Sequence, residues 1–274
     1  MNRRHAKIKG ERISCDYHLI LLINLLQEIM DMNYAVCRVP VAPVRMGPDH
    51  RNEMINQLLF GECCMVIAAE KDGWIKIENK FDGYAGWCSQ SQFEVVDEAY
   101  YSADSNRLAA DWVNEITYNG LRMHVPLGSV VRDMDVNSTW VPAQAKKEAA
   151  TVKEIACKFL NSSYLWGGKS VFGIDCSGFS QSVFKFLDIP LLRDAHQQAA
   201  QGLLVGFLQE ARCGDLAFFD NPEGQIIHVG ILLSNHEIIH AAGKVRLDKI
   251  DNEGIVNAET GQRTQRLRII KRLL

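Results

Sequence analysis

The chain has 274 residues, 47% of them hydrophobic and 23% charged. That is enough apolar material for one large core or two smaller ones, and it excludes a disordered or fibrous protein. The 30 Lys and Arg against 33 Asp and Glu leave a net charge of −3 and a pI near 6.2. This balance excludes a basic nucleic-acid footprint, and no nucleic-acid partner is expected.

Eight cysteines lie at 15, 37, 63, 64, 88, 157, 176 and 213, none in a C-x-x-C pair. A chain of this size needs no disulfide staples, so the set reads as thiols of a reducing compartment. Residues 1–33 carry Arg3, Arg4, Lys7, Lys9 and Arg12 ahead of the apolar run 19–26, which mimics a secretion signal. Glu11, Asp16, Asn24 and Gln27-Glu28 break that pattern, and no small-residue cleavage site follows. The run is too short to span a bilayer. A short surface helix, or a start of translation near Met30 or Met32, fits better, which points to the cytoplasm. A periplasmic or secreted location follows instead if 1–33 is a degenerate signal.

Short strands are expected over 34–96: Tyr34–Val39, the apolar stretch Leu58–Ala69, and Trp74-Ile75-Lys76-Ile77 with its period of two. Several strands in about 60 residues indicate a small β-barrel. An acidic linker is expected at 97–104. A turn or two of amphipathic helix follows through Leu108, Trp112, Val113 and Ile116. Asn119-Gly120 predicts a type I′ hairpin, because both central residues of that turn need positive φ. From Pro142, offered as a helix entry, Ala145, Ala149, Val152, Ile155, Ala156, Phe159 and Leu160 share one helical face. Cys176, Phe179, Ser180, Val183, Phe184 and Leu187 mark a second helix, ending before Pro190. Strands are then expected at 215–220, 226–234, 237–242, 245–250 and 266–273. Helices followed by a run of strands make an α+β domain with an antiparallel sheet.

Cys176 stands apart from the other cysteines. It opens a helix after the Gly-rich loop Trp166-Gly167-Gly168, where free N–H groups and the helix dipole favour a thiolate. A cysteine nucleophile needs a base brought to it by the fold. His228 and His240 supply candidates. A three-residue turn centred on Ser234 places them directly opposite each other, so that one ring orients the other. His236-Glu237-Ile238-Ile239-His240 also matches H-E-x-x-H, with Glu259 as a conceivable third zinc ligand. That chemistry requires a helix, whereas on a strand the two histidines lie about 13 Å apart. No metal or other cofactor is expected.

Tyr164-Leu165-Trp166-Gly167-Gly168, Asp175-Cys176-Ser177-Gly178-Phe179, Gly214-Asp215-Leu216-Ala217-Phe218-Phe219, His228-Val229-Gly230-Ile231 and Ile239-His240-Ala241 resemble the NlpC/P60 cysteine peptidases in order and spacing. The resemblance covers about 143–274. It implies a papain-like α+β fold, helices on an antiparallel sheet, that cleaves murein peptides beside γ-D-glutamate. It also implies Cys176 as nucleophile, His228 as base and His240 as orienting residue, with Tyr164 a candidate for steadying the oxyanion. Val41–Arg45, Gly73-Trp74 and Asp82–Trp87 resemble a bacterial SH3 (SH3b) module.

Together the two resemble the γ-D-glutamyl-L-diamino-acid dipeptidyl-peptidases of muropeptide recycling. In that group the SH3b module restricts the cleft to substrates with a free N-terminal L-Ala. The resemblance carries the amine-binding role to Glu53, Tyr84 and Asp175, beside Ser177, with Trp166 as a cleft wall. The implied organisation is an extension at 1–33, an SH3b barrel at 34–96, a linker and reduced second module at 97–141, and the catalytic domain at 142–274. A monomer with no membrane span, acting on L-Ala-γ-D-Glu-diamino acid, is expected. A secreted peptidoglycan DL-endopeptidase and a non-catalytic wall-peptide binder are the alternatives. His196, in Arg193-Asp194-Ala195-His196, has no counterpart in the resemblance.

Overall fold

The computed structural model describes residues 34–70, 72–104, 107–132, 135–136, 140–142 and 147–274. The expected helix within 1–33 lies outside them. Among the described residues no helix is long and apolar enough to cross a membrane.

The chain first forms seven short strands: β1 (Tyr34–Cys37), β2 (Val41–Arg45), β3 (Met54–Leu59), β4 (Cys63–Glu70), β5 (Trp74–Asn79), β6 (Ala85–Ser89) and β7 (Phe93–Val96). They pair antiparallel in the order β3-β2-β6-β5-β4-β1-β7. Leu58–Ala69, read as one apolar stretch, is split between β3 and β4 by the turn at 60–62. The period of two in β5 buries Ile75 and Ile77 against Val44, Leu58 and the thiols of Cys37, Cys64 and Cys88.

The acidic stretch expected as linker contains a helical turn, α1 (Glu98–Ser102), because the Asp97 carboxylate accepts the Tyr100 N–H at 2.7 Å as its cap. The helix expected around 108–116 is absent. That stretch forms β8 (Arg107–Ala109) and β9 (Val113–Tyr118). Four apolar residues over nine positions fit either period, and burial of Asn114 and Ile116 on one face settles it for a strand. Asn119 (φ 51°) and Gly120 (φ 74°) make the two-residue turn into β10 (Leu121–Pro126), with Tyr118 opposite Leu121. Two short strands follow, β11 (Asp135–Val136) against β9 and β12 (Trp140–Pro142) against β8. Pro142 therefore ends a strand rather than entering a helix.

Helix α2 (Ala149–Lys158) starts the α+β unit. A small hairpin, β13 (Lys169–Ser170) and β14 (Gly173–Ile174), leads into α3 (Cys176–Lys185) and the single turn α4 (Ala195–Gln198). Strands β15 (Leu203–Val205), β16 (Leu216–Asp220), β17 (Ile226–Leu232), β18 (Glu237–Ala242), β19 (Lys244–Asp251), β20 (Gly254–Val256) and β21 (Arg263–Arg272) form one antiparallel sheet in the order β15-β21-β16-β17-β18-β19-β20. A further pairing of β21 with β20 brings the sheet back on itself. Sequence periodicity missed β15, β20 and α4, each only three or four residues long. The odd-numbered faces of β17 and β18 (Val229, Ile231, Ile239) pack with Val152, Ile155 and Phe159 of the α2 segment and Phe179 and Val183 of α3. The Phe159 and Phe179 rings meet edge to face at 5.7 Å.

Candidate active site

Cys176 is the first residue of α3, and the cap that starts the helix also builds the floor of a cleft. Asp175 Oδ1 accepts the Gly178 N–H at 2.7 Å, and Oδ2 accepts the Gly167 N–H at 2.9 Å. Gly167 has φ +75°, and a Cβ there would lie 2.4 Å from the Met54 carbonyl of β3. A side chain is therefore excluded on both counts, and the Trp166–Gly168 loop seats directly on the N-terminal sheet. Arg193, 1% exposed, grips Asp175 with both Nη atoms at 3.0 and 2.6 Å. It also donates to Ser177 Oγ at 2.9 Å and, across the interface, to Asn56 Oδ1 at 2.8 Å. The fork geometry suits a buried carboxylate.

The cleft has a volume of about 490 Å³ and is lined by Cys176, Ser177, Trp166, Asp175, Arg193, Asp194, Ala195, His196, Ile226 and Ile227 on one side and Ile55 and Tyr84 on the other. Glu53 Oε1 accepts the Trp166 indole N–H at 2.6 Å, bridging the two units at the rim. The Tyr84 hydroxyl lies 3.4 Å from both oxygens of Asp194. Burial, and the Asp194 carboxylate after it, push the Tyr84 phenol up to about 12, so it stays a donor. Tyr164 is likewise held protonated near 12 by burial and by Cys176 and Asp175.

The backbone N–H of Val229 on β17, one residue after His228, acts on Cys176 in favour of its thiolate. The thiolate expected from the helix dipole is not favoured. Burial first, and the adjacent Asp175 second, outweigh the Val229 and Ser177 N–H groups and Arg193, and push the thiol up to about 12. Burial, helped by His240, pushes His228 down to about 3. The Cys176 thiol and the His228 imidazole are therefore both neutral at rest.

The two histidines do come together, but in another register. Gly230, not His228, faces His240, because the hairpin is centred on 235 rather than 234. A slip of two residues keeps both rings on one face of the sheet, as an odd slip would not. His228 Nε2 then reaches His240 Nδ1 diagonally at 2.8 Å, with the rings edge to face. The bare Cα of Gly230 makes the room: a Cβ there would lie 2.8 Å from His240 Cβ. His240 Nε2 in turn lies 3.0 Å from Asp248 Oδ2 on β19. Of the H-E-x-x-H segment, Glu237 to His240 lie in strand β18 and His236 in the turn before it, and Glu259 is ion-paired with Lys244 and Arg246.

Of the residues singled out from sequence, Cys176, Asp175, Ser177, Trp166 and Tyr84 share the cleft, with Glu53 at its rim and Tyr164 close to the thiol. Asp194, Asn56, Gly230 and Asp248 were not singled out. Asn56 and Asp248 are buried polar residues inside strands, and nothing in local sequence marks a strand polar residue as internal. Asp194 and His196 are legible only as the start of α4, where Asp194 and Gln197 form a capping box.

Residues 161–264 match the NlpC/P60 family, and residues 44–93 match the family described as bacterial dipeptidyl-peptidase Sh3 domain. The chain is 32% identical over 224 residues to the gamma-D-glutamyl-L-lysine dipeptidyl-peptidase of Bacillus subtilis (strain 168), covering 72% of this chain and 75% of that protein. It is 24% identical over 255 residues to the protein of the same name from Bacillus cereus (strain ATCC 10987 / NRS 248), covering 77% and 75%. The fold matches the crystal structure of an NlpC/P60 family protein from Bacillus cereus ATCC 10987 with a TM-score of 0.72 at 18% identity, covering 87% of this chain and 99% of that one.

Proposed function

The chain belongs to the NlpC/P60 family of cysteine peptidases, and from that premise we propose that it hydrolyses the bond between γ-D-glutamate and a diamino acid in murein peptides that begin with a free L-Ala. One observation carries the reading. The cleft beside Cys176 is walled by the N-terminal unit, through Ile55 and Tyr84, and tied across its rim by Glu53 and Trp166. A short amino-terminal piece of substrate fits such a cleft, and a continuous glycan-linked peptide does not.

A substrate ammonium entering it meets Glu53, Asp175 and the Tyr84 hydroxyl. Because Asp175 is already bidentate to Arg193, Asp194 beside Tyr84 adds a second carboxylate to the cleft. Pairing matters here, since an ammonium taken out of water without an anion is costly. Cys176 then attacks the amide carbonyl, and His228 takes the thiol proton during attack and returns it to the leaving amine. The neutral resting pair favours this general-base course over a preformed ion pair. His240 orients His228, and the Cys176 N–H with the Tyr164 hydroxyl steadies the oxyanion. The diamino acid, or the peptide it begins, leaves as the thioester forms, and water then hydrolyses the thioester, releasing L-Ala-γ-D-Glu and regenerating the thiol.

The seven cysteines among the described residues are all free, which suits a reducing cytoplasm and a role in muropeptide recycling. Mass spectrometry of products from free and N-acetylated L-Ala-γ-D-Glu-diaminopimelate and its lysine counterpart tests the reading. Cleavage of the free peptides, with a loss of at least 100-fold on acetylation, is expected. Equal cleavage of acetylated peptide or intact peptidoglycan would assign the chain to the endopeptidases instead.

A further inference from the structure

His228, His240 and Asp248 lie on a diagonal across three adjacent strands. With Gly230 opposite His240, and Ile238 opposite Asp248, each step moves one strand over and two residues along. Even steps keep all three side chains on one face. The line does not end at the second histidine, as the resemblance alone implies, but at a carboxylate whose side chain is 2% exposed.

We propose that Asp248 is a positioning residue that fixes the tautomer of both histidines and so leaves the outer nitrogen of His228 free to act as the base. The inference rests on reading Cys176 and His228 as the reacting pair. An ionised carboxylate only accepts hydrogen bonds, so His240 Nε2, 3.0 Å from Asp248 Oδ2, carries the proton. Neutral His240 is then bare at Nδ1. It accepts from His228 Nε2, 2.8 Å away, which therefore carries the proton of that ring. His228 Nδ1 is left bare, and it is the nitrogen not occupied by His240.

Asp248 is held for this task. Its Oδ1 accepts the Ala258 N–H at 2.8 Å and Arg246 Nη2 at 3.1 Å, and Arg246 Nε lies 3.0 Å from Oδ2. Burial pushes its carboxyl up, but the hydrogen bonds from His240, Ala258 and Arg246 outweigh it and keep the group ionised. Arg246 balances the carboxylate charge, so Asp248 orients His240 without requiring an imidazolium.

The isosteric change Asp248→Asn separates orientation from packing. The Ala258 N–H and Arg246 Nη2 can only donate, so they hold the amide oxygen in the Oδ1 position. The amide N–H₂ then takes the Oδ2 position, where Arg246 Nε makes no hydrogen bond and His240 is the partner able to switch from donor to acceptor. His240 moves its proton to Nδ1, His228 accepts it at Nε2, and the nitrogen left to act as base becomes protonated.

Nitrogen-15 NMR of histidine-labelled full chain near pH 7.5 reads this directly. In the wild type both rings are expected protonated at Nε2, and in Asp248→Asn both at Nδ1. The variant should lose about 10²- to 10⁴-fold in kcat with KM changed less than threefold and the melting temperature nearly unchanged. A wild-type His240 protonated at Nδ1, or a folded variant within threefold of wild-type kcat, overturns the proposal. If the variant does not fold, the wild-type spectrum decides alone. That spectrum does not depend on turnover, so an active Cys176→Ala would sink the nucleophile assignment while leaving the tautomers to report on Asp248.

Discussion

The two ends of α3 carry buried titratable clusters that answer burial in opposite ways. At its start, Cys176 and His228 are driven to their neutral forms. At its end, Lys185 Nζ lies 2.6 Å from Glu62 Oε1 and donates to the Gly128 carbonyl at 2.8 Å, with Lys169 Nζ 3.6 Å from the same carboxylate. Glu62 is also fully buried, yet Lys169, Lys185 and the Leu59 N–H overcome that burial and hold its carboxyl down to about 2. Burial alone does not choose the protonation state; the partner does. The charged end joins three parts of the chain, Glu62 from the N-terminal sheet, Gly128 from the middle strands and Lys185 from α3. The neutral end is left able to exchange a proton.

The largest break in this comparison comes from removing the thiol. Cys176→Ala should reduce cleavage of the free tripeptide to background, a loss of at least 10³-fold, while circular dichroism and melting temperature stay as in the wild type. Removing the shared anion at the other end should act on stability instead. Glu62→Ala leaves two buried ammonium groups unpaired and is expected to cost about 3–5 kcal/mol in urea unfolding. A loss below about 1 kcal/mol would show that the lysines are solvated or neutral.

The pH dependence separates the two ends further. His228 has a folded-state value near 3 against an ordinary value of 6.5, so between those limits the unfolded chain binds a proton that the folded chain does not. Stability therefore falls as pH drops through that window, by about 1.4 kcal/mol per pH unit for one proton. Glu62 adds a second proton of the same sign between its ordinary 4.5 and about 2. His228→Gln should flatten the unfolding free energy between pH 6.5 and 4.5 and about halve its slope between 4.5 and 3, leaving the fall due to Glu62. A wild type with no slope in the upper window would mean His228 is charged in the fold.

Smaller effects sharpen the site geometry. Gly230→Ala forces a methyl against His240 and Ile238, and overpacking of about 1–3 kcal/mol is expected. Its cost should fall on kcat, on the order of tenfold or more, because it displaces the ring that orients the base. Tyr84→Phe removes one hydroxyl from the rim, and an increase in KM for the free tripeptide of about 3- to 10-fold is expected. The acetylated peptide should respond less, and an equal response would separate Tyr84 from amine recognition.

Much of this was legible before any coordinates. The strand period in Trp74–Ile77, the Asn119-Gly120 turn and the helical face from Cys176 to Leu187 are local signals, and each appears where expected. The Cys176 and His228/His240 motifs were legible because their order and spacing are linear. The stretch 108–116 misled because nine residues do not separate a period of 2 from one of 3.6. The turn centre at 234 misled by a single residue, a distinction no hydrophobic pattern makes when both registers bury the same face.

By itself the sequence determined the α+β class, the helix that begins on Cys176 and the even spacing of His228 and His240, because periodicity and turn chemistry act over neighbouring residues. Only the tertiary structure decided that Arg193 neutralises Asp175, that Glu62 is shared by two lysines, and that the histidine line continues to Asp248. Those pairings join residues 8 to 123 positions apart. Burial and pairing set their charge, and neither exists until the strands and helices have packed.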